Sequence, residues 1–205
     1  MYKPDTRRKP HSSRDINRWL IVSEDSESSL NYLRNFFPHP RYAQFVTEGP
    51  AGDTVAVVRK GINLSEQARR ENRAYIHTWC VFDRDSFHPN RFKEAFALAS
   101  QVKDLTAVWT NEAFELWYLL HFGYNDTAIG RRDLISKLER HLGQRYAKSD
   151  KNIYDKLMAN PVRLKDAIKN ATRLMSDNRQ PETNPSLNVH LLVQKLEGIR
   201  QGLQD

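Results

Sequence analysis

The hydrophobic run in "WCVFDRDSFHPN" ends in two aspartates, Asp83 and Asp85, with Arg84 between them. Two further groups of acids follow apolar runs in the same way. "WLIV" leads into Ser23, Glu24 and Asp25, and "LTAVWT" leads through Thr110 and Asn111 to Glu112 and Glu115. Carboxylates crowded together repel one another unless a cation holds them. Hard oxygen ligands of this kind suit Mg2+ or Mn2+, which keep several waters and take one or two direct carboxylates. Each group alone has a plainer reading. An Asp-x-Asp after a strand also serves as a turn and helix cap. Glu24 and Asp25 also favour the positive end of a following helix, and Glu115 also fits the surface of an amphipathic helix, although Phe114, Trp117, Leu120 and Phe122 leave it little polar face. Their joint placement at successive strand ends favours a metal clasp.

The elements that must position these acids follow from hydrophobic periodicity. Four short apolar or alternating runs read as strands, namely "WLIV", "RYAQFVTE", "AYIHTWCVF" and "LTAVWT". Between them lie helical patterns. Leu30, Leu33, Phe36 and Phe37 follow Ser26, an N-cap candidate, and end at Pro38. Asp53 caps a helix through Val55, Val58 and Ile62 that continues to about Asn72, and Phe92, Phe96, Ala99 and Val102 recur at helical spacing from Asn90. "EAFELWYLLHF" is a short apolar helix. Such alternation predicts a parallel sheet covered by helices on both faces, because parallel strands need crossover connections. In that architecture ligands bind at the carboxyl ends of the strands, where the acids stand. After Gly123 only helical candidates appear, at Arg131 to Leu142, Ile153 to Met158, Pro161 to Met175 and Val189 to Ile199, with "SDNRQPETNPSLN" as a loop. The expected division is a basic tail over 1–18, an α/β core over 19–123 and a basic α-helical half over 124–205 packed on the core.

Charge is segregated along the chain. Bases exceed acids by 7 overall, with a pI near 9.5, and residues 131–173 hold 12 bases against 5 acids. The first 18 residues add six bases against two acids. The excess points to an anionic partner without naming it, and the segregation to phosphate contacts by the basic part; the plainer reading is a solvated basic face. Arg131, Arg132, Lys148 and Lys151 are the candidates for phosphate contacts, which ask for charge without precise geometry. No run approaches the roughly 18 apolar residues of a membrane span, and the basic N-terminus lacks the apolar core of a secretory signal. A cytoplasmic protein is expected. The single Cys80 excludes an internal disulfide and reads as core.

The motifs together resemble the RloB family. "LIVSEDSESSLNYL" stands where that family has a strand ending in a glutamate motif, "WCVFDRD" matches its Asp-x-Asp signature, and "TNEAFELWYLLHF" matches its Asn-x-x-Phe-Glu-x-Trp-x-x-x-His-Phe segment. "NPSLNVHLLVQKL" resembles its C-terminal block. Asp25 departs from the glycine that family members commonly carry after the first glutamate. The resemblance implies a Toprim-like four-stranded parallel sheet with a Mg2+ site. Carried over by position, it makes Glu24, Asp83 and Asp85 the catalytic residues, Glu24 as general acid/base or metal partner and the aspartates as metal ligands. The activity it implies is that of a nuclease acting on DNA or RNA as an effector of anti-phage defence, beside a partner ATPase.

On that mechanism Glu24 moves a proton, and Glu115 or Asp25 is available to a second metal ion. Arg84 meets a phosphate or pairs with a neighbouring carboxylate, the latter being favoured. Asn111 orients Glu115 or backbone, His121 reads as a satisfied structural histidine rather than a proton shuttle, and Trp79 and Trp117 as core. A reading from a different class keeps the same shape without catalysis, as a nucleic-acid-binding or adaptor subunit of the ATPase. Two other Asp-x-Asp chemistries fit less well. A sugar-nucleotide transferase lacks any sign of sugar recognition here, and the haloacid-dehalogenase order places the pair after the first strand, not the third.

Overall fold

The computed structural model describes residues 18–37, 39–48, 53–84, 89–176 and 179–203. Asp85 and the tail over 1–17 lie outside them. The apolar runs form the strands β1 (Trp19–Ser23), β2 (Ala43–Thr47), β3 (His77–Asp83) and β4 (Leu105–Asn111), all parallel, in the spatial order β2, β1, β3, β4. All five residues of β1 are buried, which is why it reads as a continuous apolar run instead of an alternating one.

Successive residues of the strands face opposite layers. Leu20, Val22, Cys80, Phe82 and Ala107 join Val55, Val58, Phe92 and Ala99 under the helices α2 (Thr54–Arg70) and α3 (Pro89–Ser100). Trp19, Ile21, Trp79, Val81 and Val108 face the other layer. That layer is made by α1 (Ser28–Leu33), α4 (Glu115–Leu120), α5 (Arg131–Leu142), α6 (Ile153–Leu157), α7 (Arg163–Met175) and α8 (Val189–Gly202). One apolar cluster runs from Tyr32 and Trp117 through Leu134, Leu138, Leu157, Ala171 and Leu196. The helices after Gly123 therefore share the core of the sheet.

Three expectations are corrected. The sheet has a fifth strand, β5 (Ser186–Leu187), antiparallel to β4, inside the segment read as a loop. A two-residue strand carries no period, and most of its work is done by the next side chain. Asn188 Oδ1 accepts from Trp109 N at 2.8 Å and its Nδ2 donates to Ala107 O at 2.9 Å, closing the open edge of β4. The N-cap of α1 is Glu27, not Ser26, because Asp25 Oδ1 accepts from Glu27 N and turns the chain before the helix starts. The first helix also ends earlier, passing into a 3₁₀ turn over Arg34–Phe36. Asp53 does cap α2, accepting from Ala56 N at 2.9 Å. α2 approaches β3 so closely at Gly61 that a Cβ there would stand 2.6 Å from Cys80 Sγ. Among the described residues no helix is long and apolar enough to cross a membrane.

Candidate active site at the carboxyl end of the sheet

β1 and β3 are neighbours in parallel register, with Ser23 opposite Val81. Glu24 N continues the ladder by donating to Val81 O at 3.1 Å. The two strands thus release Glu24 and Asp83 side by side. Glu24 Oε2 accepts from Asp83 N at 3.3 Å. Asp83 is held in turn: Thr110, near the end of β4, donates its hydroxyl to Oδ1, and Arg131 Nη2 donates to Oδ2 at 3.3 Å. β4 and the first residue after Gly130 therefore fix the Asp83 carboxylate, while Glu24 after β1 holds its backbone N–H.

The cations come from the helical layer. Arg131 is the first residue of α5, which is anchored by the buried Leu134 and Leu138. Lys148 lies on the connection from α5 to α6, where Asn31 Nδ2 donates to its carbonyl at 3.3 Å, and its Nζ stands 3.8 Å from Asp25 Oδ2. Glu24, Asp25, Asp83, Arg131, Lys148 and Ser29 line a cavity of about 90 Å³, roughly three water volumes at about 30 Å³ each. A partly hydrated divalent ion fits that space. So does the donor chemistry, since two adjacent carboxylates are what Mg2+ takes directly while keeping its waters. Among the described residues no group of three or more His, Cys, Asp or Glu side chains stands close enough to hold an ion unaided. The acids here alternate with cations, a mixed lining suited to an ion and an anionic group together.

The other predicted residues are placed differently. Glu115 is buried and does not line this cavity; its Oε1 accepts from Ser28 Oγ at 2.9 Å and from Tyr146 Oη at 2.8 Å. Tyr118 Oη donates to Ser28 O at 2.6 Å, so the start of α1, the start of α4 and the α5–α6 connection are tied at one point. Burial and the Glu115 charge push the Tyr146 phenol above its ordinary range. Asn111 is the last residue of β4 and donates to Pro181 O at 3.2 Å, orienting backbone rather than Glu115. Arg84 is half-buried, its N donating to Thr110 O at 2.7 Å. Arg132 and Lys151 are exposed and outside the cavity lining.

His121 is buried, with Nδ1 2.9 Å from Trp117 O and Nε2 3.2 Å from Tyr32 Oη. A carbonyl only accepts, so Nδ1 carries the proton and Nε2 accepts from the phenol. Burial lowers the pKa of this imidazole to about 4, and it lies among aromatic rings. Thr110, Ser28 and Tyr146 were missed in the sequence. Thr110 ends an apolar strand beside Asp83 and could have been paired from register; Tyr146 sits in "GQRYAKSD", which has no period.

A mostly parallel sheet with acids from adjacent strand ends meeting basic side chains defines an α/β protein with a mixed-charge pocket at a strand-order switch. The model of the RloB-like proteins matches residues 19–196, and the chain belongs to that family. Searches of the curated proteins and of the solved structures each found no significant match.

Proposed function

We propose that this chain is a Mg2+-dependent nuclease of the Toprim type, hydrolysing phosphodiesters of DNA or RNA. The observation that supports it is the convergence of Glu24 and Asp83 on one small cavity with Arg131 and Lys148 at its wall. Glu24 and Asp83, with Asp85, would hold the metal ion, which when bound neutralises a non-bridging phosphate oxygen and acidifies water. Glu24 takes the proton of the attacking water as the water oxygen bonds to phosphorus, while the P–O bond to the leaving oxygen breaks and that oxygen is protonated by solvent water. Arg131 and Lys148 exchange their carboxylate partners for the phosphate oxygens, where a guanidinium offers paired donors and an ammonium a point charge. The Thr110 hydroxyl keeps Asp83 aimed while that exchange takes place. Its setting, an effector of anti-phage defence beside a partner ATPase, rests on the family resemblance.

The ion pairs from Arg131 to Asp83 and from Lys148 to Asp25 favour a second reading, in which the acids are structural and the chain is a noncatalytic nucleic-acid-binding or adaptor subunit. Cleavage of labelled DNA and RNA oligonucleotides in Mg2+ and in EDTA separates the two. The nuclease loses at least about a hundredfold in rate on Asp83→Asn or Glu24→Gln with its circular dichroism unchanged, the scale expected for removing a charge-stabilising group. Binding that survives both changes in a chain that never cuts would leave the adaptor.

A further inference from the structure

A second, larger cleft lies on the helical layer, and it is built from cations and rings. The segment after α4 is wedged between α5 and α7. Phe122 stacks on His141 with centroids 4.9 Å apart and planes at 8°, and Arg163 sits over the Phe122 ring at 4.5 Å. Tyr124 is covered by the Arg173 guanidinium at 3.9 Å, and Lys137 Nζ donates to Asn125 Oδ1 at 3.2 Å. Tyr124, Asn125, Lys137, Arg140 and His141 line a cavity of about 330 Å³ with no carboxylate among the described residues of its walls.

That lining separates it from the other sites. In the strand-end cavity the cations already face acids, and in the cleft between α2 and α3 Arg91 is paired with Asp53 and Glu94. Here Lys137 and Arg140 are exposed and flank rings already arranged for stacking, beside the Asn125 amide, which donates to Thr127 O and accepts from Lys137. Exposed His141 has one ring face against Phe122; stacking on aromatic or imidazole faces together with backbone charge pairing is how unpaired bases are held. The cleft also shares its helix with the strand-end site. Lys137 and Arg140 follow Arg131 by six and nine residues on α5, about 9 to 14 Å along the axis at about 1.5 Å per residue and, at about 100° per residue, turned to the far side of the helix, so a strand reaching both sites passes around α5.

We propose that this cleft is a nucleotide-binding subsite for single-stranded nucleic acid, with Lys137 and Arg140 taking phosphates and His141 or Tyr124 taking a base. It rests on the reading that nucleic acid is the ligand of the strand-end site, and it adds the strand form and a second contact point on α5.

The test is fluorescence anisotropy of a labelled single-stranded oligonucleotide in EDTA, so that no cleavage intervenes. Lys137→Ala with Arg140→Ala weakens binding about tenfold or more and reduces the salt slope by about 1.4, near 0.7 for each phosphate of a single strand that is no longer neutralised. His141→Ala weakens binding with the slope unchanged, and the duplex of the same sequence binds less tightly. Wild-type affinity and slope in the double variant, whose altered side chains are exposed and leave the fold intact, overturn the assignment. So does competition by polyglutamate as strong as by the oligonucleotide with His141→Ala silent, which would mark an acidic-peptide surface. The two readings fail separately. Binding through the cleft by a chain that never cuts sinks only the nuclease, whereas cleavage lost in Asp83→Asn beside an unaffected Lys137/Arg140 variant sinks only the cleft.

Discussion

Arg131 Nη2 donates to Asp83 Oδ2 at 3.3 Å, so the carboxylate at the end of β3 faces a cation supplied by the helical layer. An arginine and a metal ion at the same oxygen compete. Arg131→Gln is therefore expected to tighten Mn2+ binding by about three- to tenfold, on the order of 1 kcal/mol for a partly exposed pair, while slowing cleavage through loss of a phosphate partner. Titration calorimetry with Mn2+ reads the first effect and oligonucleotide cleavage the second. Unchanged Mn2+ affinity would mean that the ion does not share that oxygen.

Glu115 is buried and takes two hydroxyl donors, Ser28 and Tyr146. Removing one leaves a buried acceptor short of a partner, which costs about 1–3 kcal/mol. Tyr146→Phe is expected to lower stability by that amount in urea unfolding with the slope unchanged, and Ser28→Ala to do the same. The two effects should not add, because both hydroxyls serve the same oxygen and lie 3.3 Å apart. Strict additivity in the double variant would show the network to be two independent bonds.

The strand ends were legible because strands buried on both faces spell continuous apolar runs, and the change to acid marks where the sheet stops. "WLIV" before Glu24 and "WCVF" before Asp83 are of this kind, and register alone then brings those two residues together. Asp53 was legible as a cap for an equally local reason. What escaped was pairing at a distance. The partner of Glu115 is 31 residues away on an irregular connection, and the cation facing Asp83 is 48 residues away; no period links either pair. β5 escaped because two residues and one asparagine side chain suffice to finish the edge of β4.

Gly61 on α2 lies under Cys80 of β3, and an added Cβ would meet Sγ at 2.6 Å. Alanine ordinarily stabilises a helix interior by about 1 kcal/mol over glycine; here overpacking of about 1–3 kcal/mol opposes and outweighs it. Gly61→Ala should lower the thermal midpoint, and Cys80→Ala should recover much of the loss in the double variant by removing the sulfur. Burial raises the Cys80 thiol to about 12, so it should stay unreactive toward thiol reagents in the folded chain and react in urea. Rapid labelling without denaturant would contradict the packing.

His121 links the fold to pH. Its folded pKa is lowered to about 4 by burial, against about 6.5 when unfolded. Between those values the unfolded chain binds the proton and the folded chain does not, so stability is full above about pH 6.5 and falls as pH drops toward 4. At about pH 5 the loss from this residue alone is about 2 kcal/mol, and His190, also lowered to about 4 by burial, acts in the same direction. His121→Gln should lower stability at neutral pH, because Trp117 O and Tyr32 Oη lose a ring that satisfies both. It should also flatten the acid limb. Urea midpoints measured from pH 7.5 down to about pH 4.5 compare the slopes: a variant as acid-sensitive as the wild type would place the titrating group elsewhere, whereas a flattened limb shows that this imidazole is kept neutral in the folded chain and that its burial sets part of the acid limit of the fold.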